Sequence, residues 1–404
     1  MTSEQLEIRS IENRAELEAV YDMLGDAFPV GREFFRQRME HDSTYDLSTT
    51  WIATQGQDFA STIQLFPFEG RVDDAALKIG GIGSVATVPA YRGQGHCRQM
   101  LHHITAWMEQ QAYDLSLLFA VINPFYEKAG WSTVPETMYE LDLASMTAGS
   151  DTTAYDVVPF DSSYTEAVAG IYEQFNEHRT GTVIRPSSHW LDRLHWPKWE
   201  ASTCLLVKRG EVVVAYGHIT KPEEDGTVYV DELCYLKGEE GSAIPLLHAL
   251  AEQRPEAMRM QTNLPGDHVL IDRLLAWGAV KKTLPYMMWK IIRFQPLLAK
   301  LAPVFQHRLQ QSRTLADHSL LIAWECAGQR AYLHAMQGQV SVEPAPREGS
   351  EYMRISMTQQ EFMRLLLQGH DGSDRSAPET EQHSSVLETL FPQQNSVFYL
   401  MDRF

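Results

Sequence analysis

Cysteine is scarce in this chain, with Cys97, Cys204, Cys234 and Cys326 scattered through 404 residues and no CxxC pair. That spacing excludes a disulfide framework and a cysteine-based zinc site, and it fits a reducing compartment. Long apolar runs are missing too; none nears the ~20 residues of a membrane-spanning helix. Residues 1–20 lack the apolar core of a signal peptide. A cytoplasmic protein with no membrane partner is the expectation. Basic residues number 34 against 53 acidic ones, a net charge of −19. Nucleic acids and anionic membranes need basic faces, so neither is expected as a partner. The acidic balance suits a cationic substrate, and it equally serves solubility. Among fifteen histidines there is no HExxH, and no metal is expected. Two phosphate-binding patterns are absent as well: no Gly-Lys-Ser/Thr occurs, and G-x-G-x-x-G is not matched.

What is present is a strand, a glycine loop and a helix between Gly80 and Trp131. A β-branched run from Ile82 to Val88 breaks at Pro89, and Arg92-Gly93-Gln94-Gly95 follows. From His96, apolar residues at Cys97, Met100, Leu101, Ile104, Trp107 and Met108 make the stripe of a helix buried on one face. Loop glycines let backbone amides approach a ligand, and the helix N-terminus adds unpaired donors and partial positive charge. A pyrophosphate suits such a site.

Length favours two or three domains, and the order of elements divides the chain at 1–150, 151–294 and 295–404. In the first unit a strand at Leu6 to Ile11 leads to a helix with Leu17, Val20, Tyr21 and Leu24 inward. Phe28, Phe34 and Phe35 follow, as pocket wall or as packing. A hairpin then turns at Gln55 to Asp58, and Met138 to Leu143 closes the unit. The second unit repeats this order. Its loop, however, reads Lys237-Gly238-Glu239-Glu240-Gly241-Ser242, where two glutamates would repel a pyrophosphate. We therefore expect no cofactor there. The third unit has a helix, four strands, a capping box at Thr358 to Glu361 and an apolar end, Val397 to Phe404, expected as a buried strand. His370 to His383 is polar and expected to be mobile.

Arg92-x-x-Gly95-x-Cys97, the next strand, and Asn123-Pro124-Phe125-Tyr126 ahead of Gly130-Trp131 resemble the GNAT acyltransferase superfamily. Cys97 stands where Gly or Ala is usual. The whole chain resembles the enhanced-intracellular-survival (Eis) family of N-acetyltransferases, and Arg185-Pro186 with Trp190 also fits. This resemblance implies a mixed α/β and α+β protein. It would have two GNAT folds, each a mixed central sheet with helices on both faces, and a small sterol-carrier-like α+β unit. It further implies acetyl-CoA as donor, amine acceptors (aminoglycosides, and in some members lysine side chains) and a homo-oligomer, a hexamer. Val85, Ala86, Thr87 and Val88 would pair with the pantetheine arm. Amides from Arg92, Gly93, Gln94, Gly95, His96 and Cys97 would hold the pyrophosphate, with Asn123 also at the cofactor. Tyr126 matches the general acid and the Phe404 carboxylate the general base. A free α-carboxyl titrates at roughly 3.3–3.7, and an apolar setting would raise it. Arg403 is a departure where the family can carry an acid, with Asp402 one step earlier. A lipid carrier working through the third unit is the rival of another class.

Overall fold

A computed structural model describes residues 6–147, 155–197, 199–316, 318–371 and 381–404. Among these residues the strands form three sheets, of eight, seven and four members. The first runs in the order Leu6–Ser10, Thr50–Gln55, Asp58–Val72, Ala75–Thr87, Leu115–Phe119, Met287–Ile291 and Ser132–Thr133, and Val183–Ile184 joins beside Asp58–Val72. The expected hairpin turns at Gly56, whose φ of 63° favours glycine. Helix Arg14–Ala27 buries Leu17, Val20, Tyr21 and Leu24. Helix His96–Gln110 lays Met100, Leu101, Ile104 and Met108 on one face of the sheet. Opposite it, Leu77, Ile79, Leu115 and Leu117 share a core with helix Phe294–Gln311 and the third unit. Phe28 and Phe35 pack on each other within a satellite core, so these aromatics are packing.

Two strands lie in the sheet of the other unit. Met138 to Leu143, expected to close the first unit, belongs to Glu136–Asp142, which pairs with Arg259–Thr262 and Val280–Leu284 of the second sheet. In return, Met287–Ile291 is inserted between Leu115–Phe119 and Ser132–Thr133 of the first. Each exchanged strand comes just after a proline, Pro135 or Pro285. A proline cannot donate to a ladder, so each chain leaves its own sheet there and crosses. The linker expected at Ala148 to Asp151 lies outside the described residues.

The third unit has a four-stranded sheet and helix Gln359–Gln368, opened by the expected capping box at Thr358 and Glu361. Of the segment expected to be mobile, residues 372–380 lie outside the described ones. The chain end is not a strand. It runs extended, with one tight turn at Leu400–Asp402, because its partners are side chains and irregular backbone. Val397 N donates to Thr180 O (3.1 Å), Asn263 Nδ2 to Phe398 O (2.7 Å) and Arg193 to Met401 O (3.2 Å).

Candidate active site

The site begins where two parallel neighbours part. Ala75–Thr87 pairs with Leu115–Phe119 only from Ile79 to Ile82. Past that point Ser84 takes a φ of 49°, and the register with the other neighbour slips between Thr62 and Gln64. The resulting bulge bends the strand away and frees one backbone edge from Gly83 onward. Val85, Ala86 and Thr87 lie on this stretch; Val85 falls in the bulge, while Ala86 and Thr87 stay paired to Thr62 and Ser61 by their other edge. Val88 donates its N–H to Ala60 (3.0 Å).

The glycine loop closes one end of the gap. Gly93 and Gly95 have φ of 79° and 83°, and Gly95 caps helix His96–Gln110 with no side-chain bond. The backbone amides of residues 93–98 have no hydrogen-bond partner among the described residues. Six such donors around a helix N-terminus form an anion cradle. Arg92 is exposed, its Nε bonded to Thr87 O (3.1 Å), and Gln94 Nε2 donates to Ala90 O (3.1 Å). His96 is buried with Nδ1 unpartnered. Burial pushes the Cys97 thiol up to about 12, so it stays protonated at neutral pH.

Tyr126 and Phe404 approach the gap from opposite faces of the sheet. Tyr126 is in the short helix Asn123–Glu127, its ring edge-on to Phe125 at 5.0 Å. Burial, and then Cys97 nearby, push its hydroxyl up to about 12. On the other face the Phe404 ring stacks on Phe66 (5.0 Å) and meets the edge of Phe119 (5.6 Å). A Cβ at Gly81 would lie 2.3 Å from that ring, and one at Gly83 would lie 3.5 Å from the Phe404 carboxyl carbon. Glycines inside a strand mark such close approaches. Gly80-Gly81-x-Gly83 carried that signal in the sequence. Asn123 stands apart: its side-chain amide donates to Thr133 Oγ1 (2.8 Å) and Pro285 O (2.7 Å), tying the short helix to both crossings.

The terminus is held by a buried cluster that sequence reasoning missed. Arg185 donates to both oxygens of Asp402 (2.9 and 2.8 Å) and to Glu232 (3.0 Å for one pair), and it lies 3.8 Å over the Tyr172 ring. Arg185, Glu232 and Asp402 side chains are each no more than 1% exposed. Asp402 is therefore engaged as an anchor. Arg403 turns the other way, pairing with Glu136 (2.5 Å) beneath the Phe119 ring.

The tail crosses the second unit where its sheet opens in the same manner. Thr227–Tyr235 pairs with Arg259–Thr262 only through Val230. Tyr399 enters beyond it, its hydroxyl 3.2 Å from Asn176 Oδ1 and against Cys234. In that unit's loop, Glu240 accepts from the Gly238 amide (3.0 Å), and Glu239 pairs with Arg209. Both acids of that loop are thus engaged within the unit.

Beside Phe404 opens a cavity of about 460 Å³, lined by Arg38, Phe66, Phe68, Val183, Trp196 and the terminal residue. Asp42, Glu69 and Asp192 also border it.

Fold and site define a mixed α/β protein whose loop amides lie unpartnered beside a strand opening. Residues 7–134 match the family described as an acetyltransferase (GNAT) domain. The chain carries a GNAT domain and is an N-acetyltransferase. Over its length it is similar to a probable N-acyltransferase from Enterococcus faecalis V583 (TM-score 0.75, 17% identity, 99% of this chain and 100% of that one). A GCN5-related N-acetyltransferase from Anabaena variabilis ATCC 29413 gives 0.73 at 13% identity, and Eis1 from Mycobacterium abscessus 0.65 at 13%, each over 99% of this chain and 100% of the other. These likenesses concern the fold. No curated protein matches the sequence. Among the described residues no helix is long and apolar enough to cross a membrane.

Proposed function

We propose that the protein transfers acetyl from acetyl-CoA to an amine of a small molecule. Aminoglycoside-type amines are the class the resemblance implies, and lysine side chains are the second. In this reading catalysis belongs to the first unit, the second holds no cofactor and the third delivers the chain end, within a hexamer that light scattering can check. The observation that carries it is the Phe404 carboxyl held over Gly83, on the strand that parts from its neighbour and leads into the loop of unpartnered amides.

Bound acetyl-CoA supplies an activated acyl thioester. The amides of residues 93–98 would hold its pyrophosphate with the helix terminus behind them, and the free edge at Val85 to Thr87 would hold its arm. An ammonium has no lone pair, so the acceptor must give up a proton before it attacks. The Phe404 carboxylate takes that proton in the proposal. Tyr126 keeps its own proton up to about pH 12 and is the source of the one the departing sulfur requires. Burial keeps Cys97 protonated as well, so it is not a ready thiolate at neutral pH, and direct transfer is the proposed route.

Two measurements test this. Tyr126→Phe removes only the hydroxyl, so kcat is expected to fall on the order of 100-fold with KM for acetyl-CoA little changed. Equal turnover would reduce Tyr126 to packing. Arg92→Glu puts a like charge beside the cradle, and acetyl-CoA affinity should drop at least tenfold, ~1.4 kcal/mol. Calorimetry should show one CoA per chain; two would mean that the second unit binds as well.

Lipid carriage through the third unit fits less well. Its cavity of about 510 Å³ mixes Ile355, Met357, Leu365 and Leu387 with Arg354, Glu361, Arg364 and His370, so an acyl chain would lie against charged groups along part of its wall.

A further inference from the structure

The cavity beside Phe404 contains a cation that no group among the described residues pairs with. Arg38, near the end of helix Arg32–Glu40, lines the cavity with its guanidinium 3.7 Å from the centroid of the Trp196 ring. Among the described residues it forms no ion pair and no hydrogen bond, and its Nε is buried without a partner. Burial lowers it to about 10, so it remains charged at neutral pH.

The surrounding charges leave its fork open. Arg185 and Arg193 face Glu232 and Asp402, two charges of each sign, while Asp42 acts on Arg38 through space without a hydrogen bond. His189 beside them is held neutral by burial and by the arginines. The Asp42 carboxylate accepts from the amide and hydroxyl of Thr44 (2.9 and 2.6 Å). The Phe404 carboxylate borders the same cavity without pairing with Arg38. An unpaired guanidinium against an aromatic wall offers a planar fork, and that fork matches a carboxylate or phosphate. Stacking on Trp196 fixes its orientation.

We propose that Arg38 is an anion subsite, so that the acceptor amine belongs to a molecule that also carries a carboxylate or a phosphate. This deepens the acetyltransferase reading and rests on it. The acceptor's anion would sit at Arg38 and its amine would point to the Phe404 carboxylate, which repels the anion and so sets the orientation. Asp42, Glu69 and Asp192 at the border would favour the amine end. An aminoglycoside, a polycation without an anion, would set a like charge against Arg38, so the subsite ranks anionic amines above that class as acceptors.

The test measures thiol release from acetyl-CoA with matched acceptors. Glycine, γ-aminobutyrate and ε-aminocaproate are each compared with their amides, and 2-aminoethyl phosphate with ethanolamine. At least one anionic member should exceed its neutral partner about tenfold or more in kcat/KM, and the two arms separate carboxylate from phosphate. Arg38→Gln should remove that preference by raising KM for the anionic acceptor about tenfold more than for its neutral partner; Arg38→Lys should restore part of it. Equal rates for every pair would overturn the inference alone, leaving acetyl transfer intact. So would an Arg38→Gln enzyme slowed alike for both acceptors, or one whose acidic pH limb shifts for all of them; the latter would mean that Arg38 serves the Phe404 carboxylate. No turnover with any amine, aminoglycosides and polyamines included, would overturn the acetyltransferase reading, and the subsite with it.

Discussion

One glycine added after Phe404 is expected to lower acetyl transfer about 100-fold or more, the scale of one acid–base group. The extension keeps the ring on Phe66 and turns the carboxylate into a neutral amide. It moves the charge by one residue, ~3.5 Å. Proton transfer requires about 2.6–3.2 Å or one bridging water, so that displacement breaks it. Deleting Phe404 instead leaves a carboxylate on Arg403, whose side chain is tied to Glu136. Both variants should fold, and both should bind acetyl-CoA through the loop amides, which calorimetry can check. A C-terminal tag should impair the enzyme where an N-terminal tag does not. Full activity in the extended protein would assign the base to another group.

The larger stability effect is expected at Arg185. Arg185→Met leaves Glu232 and Asp402 buried without their cation, and breaking a buried pair in this way costs about 3–5 kcal/mol. The thermal transition that carries the second unit should shift to lower temperature. Acetyl transfer should fall with it even below that transition, because Asp402 no longer fixes the two residues that follow it. Asp402→Asn keeps the shape and should be milder in stability, yet still reduce kcat through a loosened terminus. Unchanged melting and turnover in Arg185→Met would show that the tail is placed by its aromatic contacts alone.

The two effects differ in how far the sequence announced them. Residues in the loop at 92–97 interact with neighbours a few positions away, so the glycines, the apolar stripe of the following helix and the vacant amides could all be read directly. The apolar chain end was legible as buried, though not as an irregular segment bonded to side chains. Strand alternation showed that Glu136–Asp142 and Met287–Ile291 are strands. It could not show which sheet takes them, because an edge of either sheet offers the same ladder and the same apolar face. Arg185 and Asp402 lie 217 positions apart, and no periodicity links residues at that distance. Arg38 is a similar case, one charge among several on an exposed-looking helix until Trp196 of another unit comes to lie against it. By itself the sequence determined a strand–loop–helix anion cradle and an apolar chain end, because both arise from local backbone and patterning. Only the tertiary structure decided that this end reaches the cradle's strand opening, and which charges surround it, because packing between distant segments sets those contacts.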